Sequence, residues 1–346
     1  MRICHIVGTH GAWGGLERAV VDLAEMQVTH GHKVTVLAAP VVLDRVASSV
    51  VKIALPFHHS RRDPRLLWAL FRQLKELRPE ILHAHANKAA ATLNAIRPFI
   101  PRVPTVATVQ NTKRSVGMFR PFDSVIAVSR RAGDQLGDIS HKVIWNAIPK
   151  PTSSADLQDS NEVLPFIGQG KPVICAIGRL VEAKGFDLLL EAAREVDAYF
   201  WIVGSGVLEQ ELKTQAERLG VSDRVWFAGF RKDAEGLMER ADFMVISSRR
   251  EGFPFAFVEM LHRRKIVVGT RVAGVEDVLE PPYLVEVEDP HALAQAMQSA
   301  AENLSQATDD FAKYWSIADE SLDLAKTSLQ IETIYAELLS RSFGRD

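Results

Sequence analysis

Apolar runs of four to seven residues alternate along most of the chain with longer stretches in which apolar positions recur every three or four residues. The first pattern is that of a strand buried on both faces and the second that of an amphipathic helix, so their alternation predicts βα units and a parallel sheet. In the first half it places strands at 2–7, 33–38, 50–54, 80–84, 103–109, 124–128 and 142–145, with helices clearest at 15–30 and 64–78. A stretch rich in Pro, Ser and Asp, 151–172, interrupts the alternation and reads as a linker. The pattern restarts with strands at 173–177, 199–203, 225–228, 243–247 and 266–268 and helices at 184–196, 207–219, 233–240 and 255–263. Beyond residue 289 only helical periodicity remains. The expected organisation is therefore an N-terminal Rossmann-like domain over 1–150, the linker, a second doubly wound domain over 173–325, and a helix over 326–346 able to return to the first domain. Two such domains would face each other across a cleft, with ligands at the carboxyl ends of the strands.

Length and composition agree with that division. The 346 residues, 47% hydrophobic and 24% charged, suffice for two globular cores and exclude a disordered or fibrous chain. No run of about 18 apolar residues predicts a membrane span, and the apolar start Ile3–Val7 is too short for a signal-peptide core. Cys4 and Cys175 are the two cysteines, each inside an apolar strand with no disulfide or metal spacing. A reducing cytoplasm is the expected location, with attachment at the inner face of a membrane left open.

The net charge of −2 hides an asymmetry: residues 1–150 carry 21 basic and 10 acidic side chains, the remainder 20 and 33. A basic half attracts phosphates, nucleic acid or anionic membrane. Two of its segments combine cations with aromatics. Residues 58–75 read as an amphipathic helix with Leu67, Leu70, Phe71 and Leu74 on one side, for which an ordinary sheet-covering helix with solvated charges is the plain alternative. Residues 113–122, broken by Gly117 and Pro121, suit a mobile acceptor loop. Together they suggest attraction to an anionic acceptor at a membrane surface.

Four loops carry candidate chemistry. Gly8 to Arg18 is glycine-rich, leaves the first strand and opens a helix, so Gly14 and Gly15 could bring backbone N–H groups to an anion; a tight turn without a ligand is the alternative. In Gly178-Arg179-Leu180-Val181-Glu182-Ala183-Lys184-Gly185 two cations five residues apart can both reach a diphosphate, Arg179 as a planar fork and Lys184 as a point charge. Gly204-Ser205-Gly206 is a weaker glycine turn. The fourth, Ser247 to Glu259, sets two glutamates eight residues apart around Gly252-Phe253-Pro254. Pro254 marks the start of a helix; Glu251 then lies in the loop and Glu259 one and a half to two turns into the helix. A carboxylate on an apolar helix face needs hydrogen-bond donors, and vicinal sugar hydroxyls are suitable ones.

Glu251-Gly252-Phe253-Pro254 followed by Glu259, preceded by Gly178-Arg179, Lys184-Gly185 and Gly14-Gly15-Leu16-Glu17-Arg18, resembles the retaining glycosyltransferases of family 4. The likeness covers both halves, with the motifs in order. It implies the two-domain GT-B fold, a nucleotide-sugar donor held by the second domain and an acceptor held by the first. Carried over, it implies that Glu259 accepts the ribose hydroxyls and that Arg179 and Lys184 neutralise the diphosphate. Gly14 and Gly15 complete the phosphate cradle; Glu251 and the backbone of Gly252, Phe253 and Pro254 hold the sugar, and Arg231 lies on a loop beside the base. Gly204 and Gly206, on their weaker turn, are counted with the residues that bind the nucleotide sugar. His85, closing its strand, would contact acceptor or donor sugar; strand-end histidines satisfied by backbone are the plain alternative. Many relatives carry a histidine where this sequence has Gln110, so no histidine role transfers to that position. The expected reaction retains configuration at the anomeric carbon. It needs no resident cofactor, the co-substrate being UDP- or GDP-linked, and no metal, because the chain contains no Asp-x-Asp.

Three other readings stay open: a sugar-nucleotide epimerase of the same fold, a nucleic-acid-binding protein, and a non-catalytic sugar-nucleotide scaffold. Nucleic acid would account for the basic half but leave the two glutamates and the glycine loops unexplained. The expected partners are thus a sugar nucleotide, a glycan or lipid-linked acceptor and an anionic membrane surface, with no nucleic acid.

Overall fold

The structure, a computed structural model, describes residues 1–9, 13–110, 116–151 and 164–343. Most of the expected linker, 152–163, therefore lies outside the described residues, as do His10 to Ala12 and Asn111 to Ser115. The chain divides into two compact units, Met1–Pro149 with Ser321–Asp346, and Lys150–Glu320.

Unit 1 runs β1 (Arg2–Val7), α1 (Gly15–Thr29), β2 (Lys33–Ala38), α2 (Pro40–Leu43), β3 (Val51–Ala54), α3 (Pro64–Leu77), β4 (Ile81–His85), α4 (Ala86–Ile96), β5 (Thr105–Val109), β6 (Ser124–Ala127), α5 (Arg130–Asp134) and β7 (Lys142–Val143). Its sheet has the order β3-β2-β1-β4-β5-β6-β7 and every pairing is parallel. Successive side chains alternate between faces. Cys4, Ile6, Leu82 and Ala84 pack with α3 and α4 on one side, whereas Ile3, Val7, Ile81 and Val106 pack with α1 on the other. Burial on both faces is why these strands read as continuous apolar runs.

Helix α3 starts where Asp63 accepts the backbone N–H of Arg65 at 2.9 Å and Pro64 occupies the first helical position. Its buried stripe is Leu66, Leu70 and Leu74, one residue every four. The expected face, which counted Leu67 and Phe71 and omitted Leu66, is corrected: those two are only half-buried at its flank. The expectation of a mobile loop over 113–122 is also corrected where the residues are described. Phe119 and Phe122 are core side chains, Arg120 pairs with Asp138 at 2.6 Å, and Arg97 bonds the carbonyl of Pro121.

Unit 2 comprises β8 (Val173–Ile177), α6 (Phe186–Ala192), β9 (Tyr199–Val203), α7 (Glu209–Arg218), β10 (Val225–Gly229), α8 (Ala234–Arg240), β11 (Phe243–Ile246), α9 (Phe255–His262), β12 (Val267–Thr270), β13 (Leu284–Val285), α10 (Pro290–Glu302) and α11 (Leu304–Ser321). The parallel order is β10-β9-β8-β11-β12-β13. The predicted helix 184–196 is shorter, because a 3-10 turn at Glu182–Lys184 and a left-handed Gly185 precede α6. Strand β13 was not legible, since two residues cannot display a period.

The last helix, α12 (Leu324–Phe343), belongs to unit 1. The chain re-enters that unit where the backbones of Ile148 and Asp323 bridge in parallel. Ile331, Ile334, Tyr335 and Leu338 then complete the core beneath α1. Glu332 accepts hydrogen bonds from His30 at 2.8 Å and Ser328 at 2.7 Å. Counting these residues with unit 1 leaves the charge asymmetry intact, at 23 basic and 14 acidic groups against 18 and 29 in unit 2.

The inward face of α12 sets a direct check on this docking. Ile334→Ala is expected to cost about 2–5 kcal/mol through the lost burial and the cavity it leaves, and Leu329→Ala, on the exposed side, less than about 0.5 kcal/mol. Denaturant unfolding midpoints of the two variants measure the difference; equal losses would refute the docking.

Candidate functional site

In unit 2 the loops leaving β8, β9 and β11 are tied to one another by backbone hydrogen bonds. Gly178 N–H donates to Val203 at 3.0 Å, Leu180 to Ser205 at 3.0 Å, Leu208 to Leu180 at 3.1 Å, and Arg249 to Ala183 at 2.9 Å. Such closeness requires glycine. Gly204, at φ +139°, stands where a Cβ would overlap the Gly178 carbonyl oxygen, and Gly185, at φ +61°, where it would overlap that of Ser247. Gly206 lies against the Leu180 carbonyl in the same way. The loops at the carboxyl edge of this sheet are thus in direct backbone contact, with the Lys184 side chain lying over Gly178.

Charged groups are set on those loops. Lys184 Nζ lies 2.5 Å from Glu251 Oε1, which also accepts the Ser248 hydroxyl at 2.7 Å, while the Ser247 hydroxyl donates to the Lys184 carbonyl at 3.0 Å. The structure therefore joins Lys184 and Glu251, residues 67 apart in sequence. Arg179 is exposed and has no ion pair among the described residues. Gly252, Phe253 and Pro254 are buried, and Pro254 caps α9, which begins at Phe255. Glu259, buried on that helix, is consequently about one turn in, less deep than expected. Arg231 is engaged elsewhere, as a two-pronged pair with Asp233 at 2.8 and 2.7 Å. Its neighbour Phe230 is exposed.

Two residues that sequence reasoning passed over secure these loops. Arg249 makes paired bonds to Asp187, both 2.6 Å, and reaches Glu288 at 2.5 Å. Burial raises the Asp187 pKa, yet the Arg249 guanidinium outweighs it and the net shift is downward. Ser248 is the second. Both stand inside the quoted Ser247 to Glu259 segment, but nothing local marks which side chain turns inward.

In unit 1, Gly14 precedes α1 in extended conformation, Gly15 opens it, and the Glu17 carboxylate is buried in the first turn, where the helix dipole favours an anion. The larger surprise is a row of buried imidazoles. His5 on β1 faces His83 in register and Val7 faces His85 on β4, so three rings share one face of the sheet. His5 Nδ1 is 2.9 Å from His85 Nε2, and His5 Nε2 is 2.8 Å from Gln27 Oε1. His83 bonds Tyr335 at 2.6 Å and Thr108 at 2.7 Å. Burial pushes the His5 pKa down to about 4 and those of His83 and His85 well below the ordinary value, so all three are neutral near pH 7. One nitrogen from each of the three rings lies within 4.8 Å of the other two. Five of the six already hold hydrogen bonds, so a metal ion would have to break the network. The remaining one, His85 Nδ1, is buried without a partner among the described residues. His85 borders a recess of about 40 Å³ lined also by Thr108, Gln110, Trp145, Asn146 and Ala147. Gln110 accepts from Asn146 at 3.3 Å. His5 was legible only as one polar residue in an apolar strand, a pattern that more often marks a satisfied core histidine.

Comparison with known proteins covers both units. Residues 13–149 match the family profile "Glycosyltransferase Family 4" and residues 171–303 the profile "Glycosyl transferases group 1". The lipopolysaccharide core biosynthesis glycosyltransferase LpsE of Rhizobium meliloti is 25% identical over 307 residues, 86% of this chain and 88% of its own length. The N-acetyl-alpha-D-glucosaminyl L-malate synthase of Bacillus anthracis is 31% identical over 288 residues, 75% of each chain. Among solved structures, Anabaena HepE in complex with UDP and glucose superposes with a TM-score of 0.81 at 21% identity, covering 97% of this chain and all of its own. That likeness carries the GT-B fold.

The neutral imidazoles have a consequence that can be measured without any ligand. A histidine whose pKa falls to about 4 on folding leaves the unfolded chain binding more protons between pH 6.5 and 4, so stability present above pH 6.5 is lost as the pH drops through that window. The denaturant midpoint is expected to fall steadily from pH 6.5 to 4 and to fall less in His5→Leu. A flat profile would contradict buried neutral histidines.

Proposed function

The chain belongs to glycosyltransferase family 4, and from that premise we propose a retaining, metal-independent hexosyl transfer from a UDP- or GDP-linked sugar to a glycan or lipid-linked acceptor. The observation that carries the reading is the Lys184–Glu251 pair, 2.5 Å apart, set on loops that glycine holds in backbone contact. Arg179 and Lys184 meet the diphosphate; Glu251 holds Lys184 until the phosphates compete for it, and then faces the sugar with the backbone of Gly252 to Pro254. Glu259 takes the ribose hydroxyls, and the loop carrying Arg231 lies toward the base. Gly14 and Gly15 present backbone N–H groups to an anion at the start of α1. As the C1–O bond to the diphosphate breaks and the acceptor hydroxyl oxygen bonds C1, negative charge builds on the departing phosphate, which takes up the hydroxyl proton. Fixed cations there lower the barrier without a strong base. The lack of an Asp-x-Asp in the sequence and the two cations in place of a metal support metal independence, and no resident cofactor is needed.

The names of relatives such as LpsE favour a role in lipopolysaccharide or cell-surface polysaccharide assembly, on the cytoplasmic side of a membrane. No helix among the described residues is long and apolar enough to cross one. Attachment would instead use α3, where Trp68 is 62% exposed, with the Arg72 guanidinium 5.7 Å from its ring centroid and Lys75 5.9 Å from that of Phe71. An interfacial aromatic among cations is suited to anionic headgroups.

Thermal unfolding with a panel of UDP- and GDP-sugars in EDTA tests the donor site, since a ligand that binds only the native state raises its stability. One donor is expected to raise the Tm of the wild type. Lys184→Ala, losing a charged hydrogen bond of about 1.5–3 kcal/mol, should need at least about tenfold more ligand for the same rise, and Glu259→Ala should show a reduced response. No stabilisation by any donor, or unchanged variants, would refute the assignment. For the membrane, co-sedimentation with anionic vesicles should weaken with salt and in Arg72→Glu/Lys75→Glu. Binding that ignores both would remove α3 from the account.

A further inference from the structure

The buried imidazoles of unit 1 form a directional chain. Gln27, on α1, offers its carbonyl oxygen to His5 Nε2 at 2.8 Å, so the proton of neutral His5 sits on Nε2 and its Nδ1 is an acceptor. The Gln27 Nε2 is buried with no hydrogen-bond partner among the described residues, so the carbonyl oxygen is the amide atom that engages the imidazoles. With His5 Nδ1 an acceptor, the 2.9 Å contact to His85 Nε2 requires the His85 proton to be on Nε2. His85 Nδ1 then keeps a lone pair, and it is the ring nitrogen with no partner among the described residues, in a side chain 2% exposed that borders the recess.

The backbone marks the same place. Ala86, which follows His85 and begins α4, has φ +62° without being glycine. Such a conformation costs of order 1–3 kcal/mol and persists where surrounding structure imposes it. His85 is thus held from two directions, by its own backbone and by the hydrogen bond to its ring.

We propose that Gln27 and His5 are positioning residues that hold His85 in one tautomer, proton on Nε2 and Nδ1 lone pair toward the recess, so that His85 accepts a hydrogen bond from a sugar hydroxyl. The ligand half of this proposal rests on the glycosyltransferase reading; the tautomer half does not. An acceptor without charge selects a neutral hydroxyl and disfavours a phosphate or carboxylate oxygen, which would meet a lone pair. The recess, of about 40 Å³, would therefore admit a single sugar hydroxyl in preference to a phosphate oxygen.

The test is the long-range proton–nitrogen spectrum of the histidine-labelled protein without substrate, with His85 assigned by its loss in His85→Gln. The expected result is an Nε2-protonated His85. Gln27→Met, which keeps the volume and removes the acceptor, should move the His85 nitrogen shifts toward a mixture of tautomers and lower kcat several-fold with a smaller change in donor KM; Gln27→Glu should restore both. An Nδ1-protonated His85 in the wild type overturns the chain, and that spectrum decides even if Gln27→Met fails to fold. Unchanged shifts in a folded Gln27→Met overturn it equally. An Nε2-protonated His85 together with undiminished turnover in His85→Leu leaves the tautomer standing and overturns the hydroxyl contact, so the two failures are told apart.

Discussion

The Gly178 carbonyl oxygen occupies the space that any side chain on residue 204 would need, and the Ser247 carbonyl does the same for residue 185. This backbone-to-backbone approach is the constraint on which the rest of unit 2 depends. It lets the loops after three neighbouring strands, β9, β8 and β11, be stitched together by main-chain hydrogen bonds. It also fixes Lys184 and Glu251 opposite each other although they come from different βα units. Arg249, clamped between Asp187 and Glu288, braces the same loops from their outer side. A site built this way is organised before any ligand arrives, so little ordering entropy is left to be lost on binding.

Unit 1 meets a different problem. Its sheet buries three imidazoles, which is tolerable because the rings are neutral and five of their nitrogens are hydrogen-bonded. Two of the partners come from helices, Gln27 from α1 and Tyr335 from α12. The return of the C-terminal helix therefore closes the apolar core and completes the polar network at once. The excess of basic groups lies on the outside of this unit, where α3 shows Arg72 and Lys75 beside Trp68 and Phe71. Charge and neutrality are thus separated between its surface and its core.

Much of the fold was legible in the sequence, and the reason is physical. Strands buried on both faces leave unbroken apolar runs, so β1, β2, β8 and β9 appear at their observed limits. Signals shorter than one period are lost, as at β13 and at α2. The face of α3 was misjudged by about 50°, half the turn of one helical residue, because Leu66, Leu67, Leu70, Phe71 and Leu74 fit two overlapping stripes that share Leu70 and Leu74. Glycines and charged residues after strands marked the loops of the site. Their pairing was not legible, since the Lys184–Glu251 contact and the Arg249 clamp are set by which strands are neighbours. His5 was hidden for the opposite reason: one polar residue in an apolar strand says nothing of its partners until β1 and β4 are side by side.

The central claim is that donor departure on the cationic loops of unit 2 drives a transfer that keeps the anomeric configuration without a metal. Proton NMR of the product, formed in EDTA from an α-linked nucleotide sugar and followed from the first turnovers, tests it most directly. The account predicts an α-linked product, with nucleoside diphosphate released in equal amount. A β-linked product, or turnover that stops in EDTA and returns with a divalent cation, would contradict it.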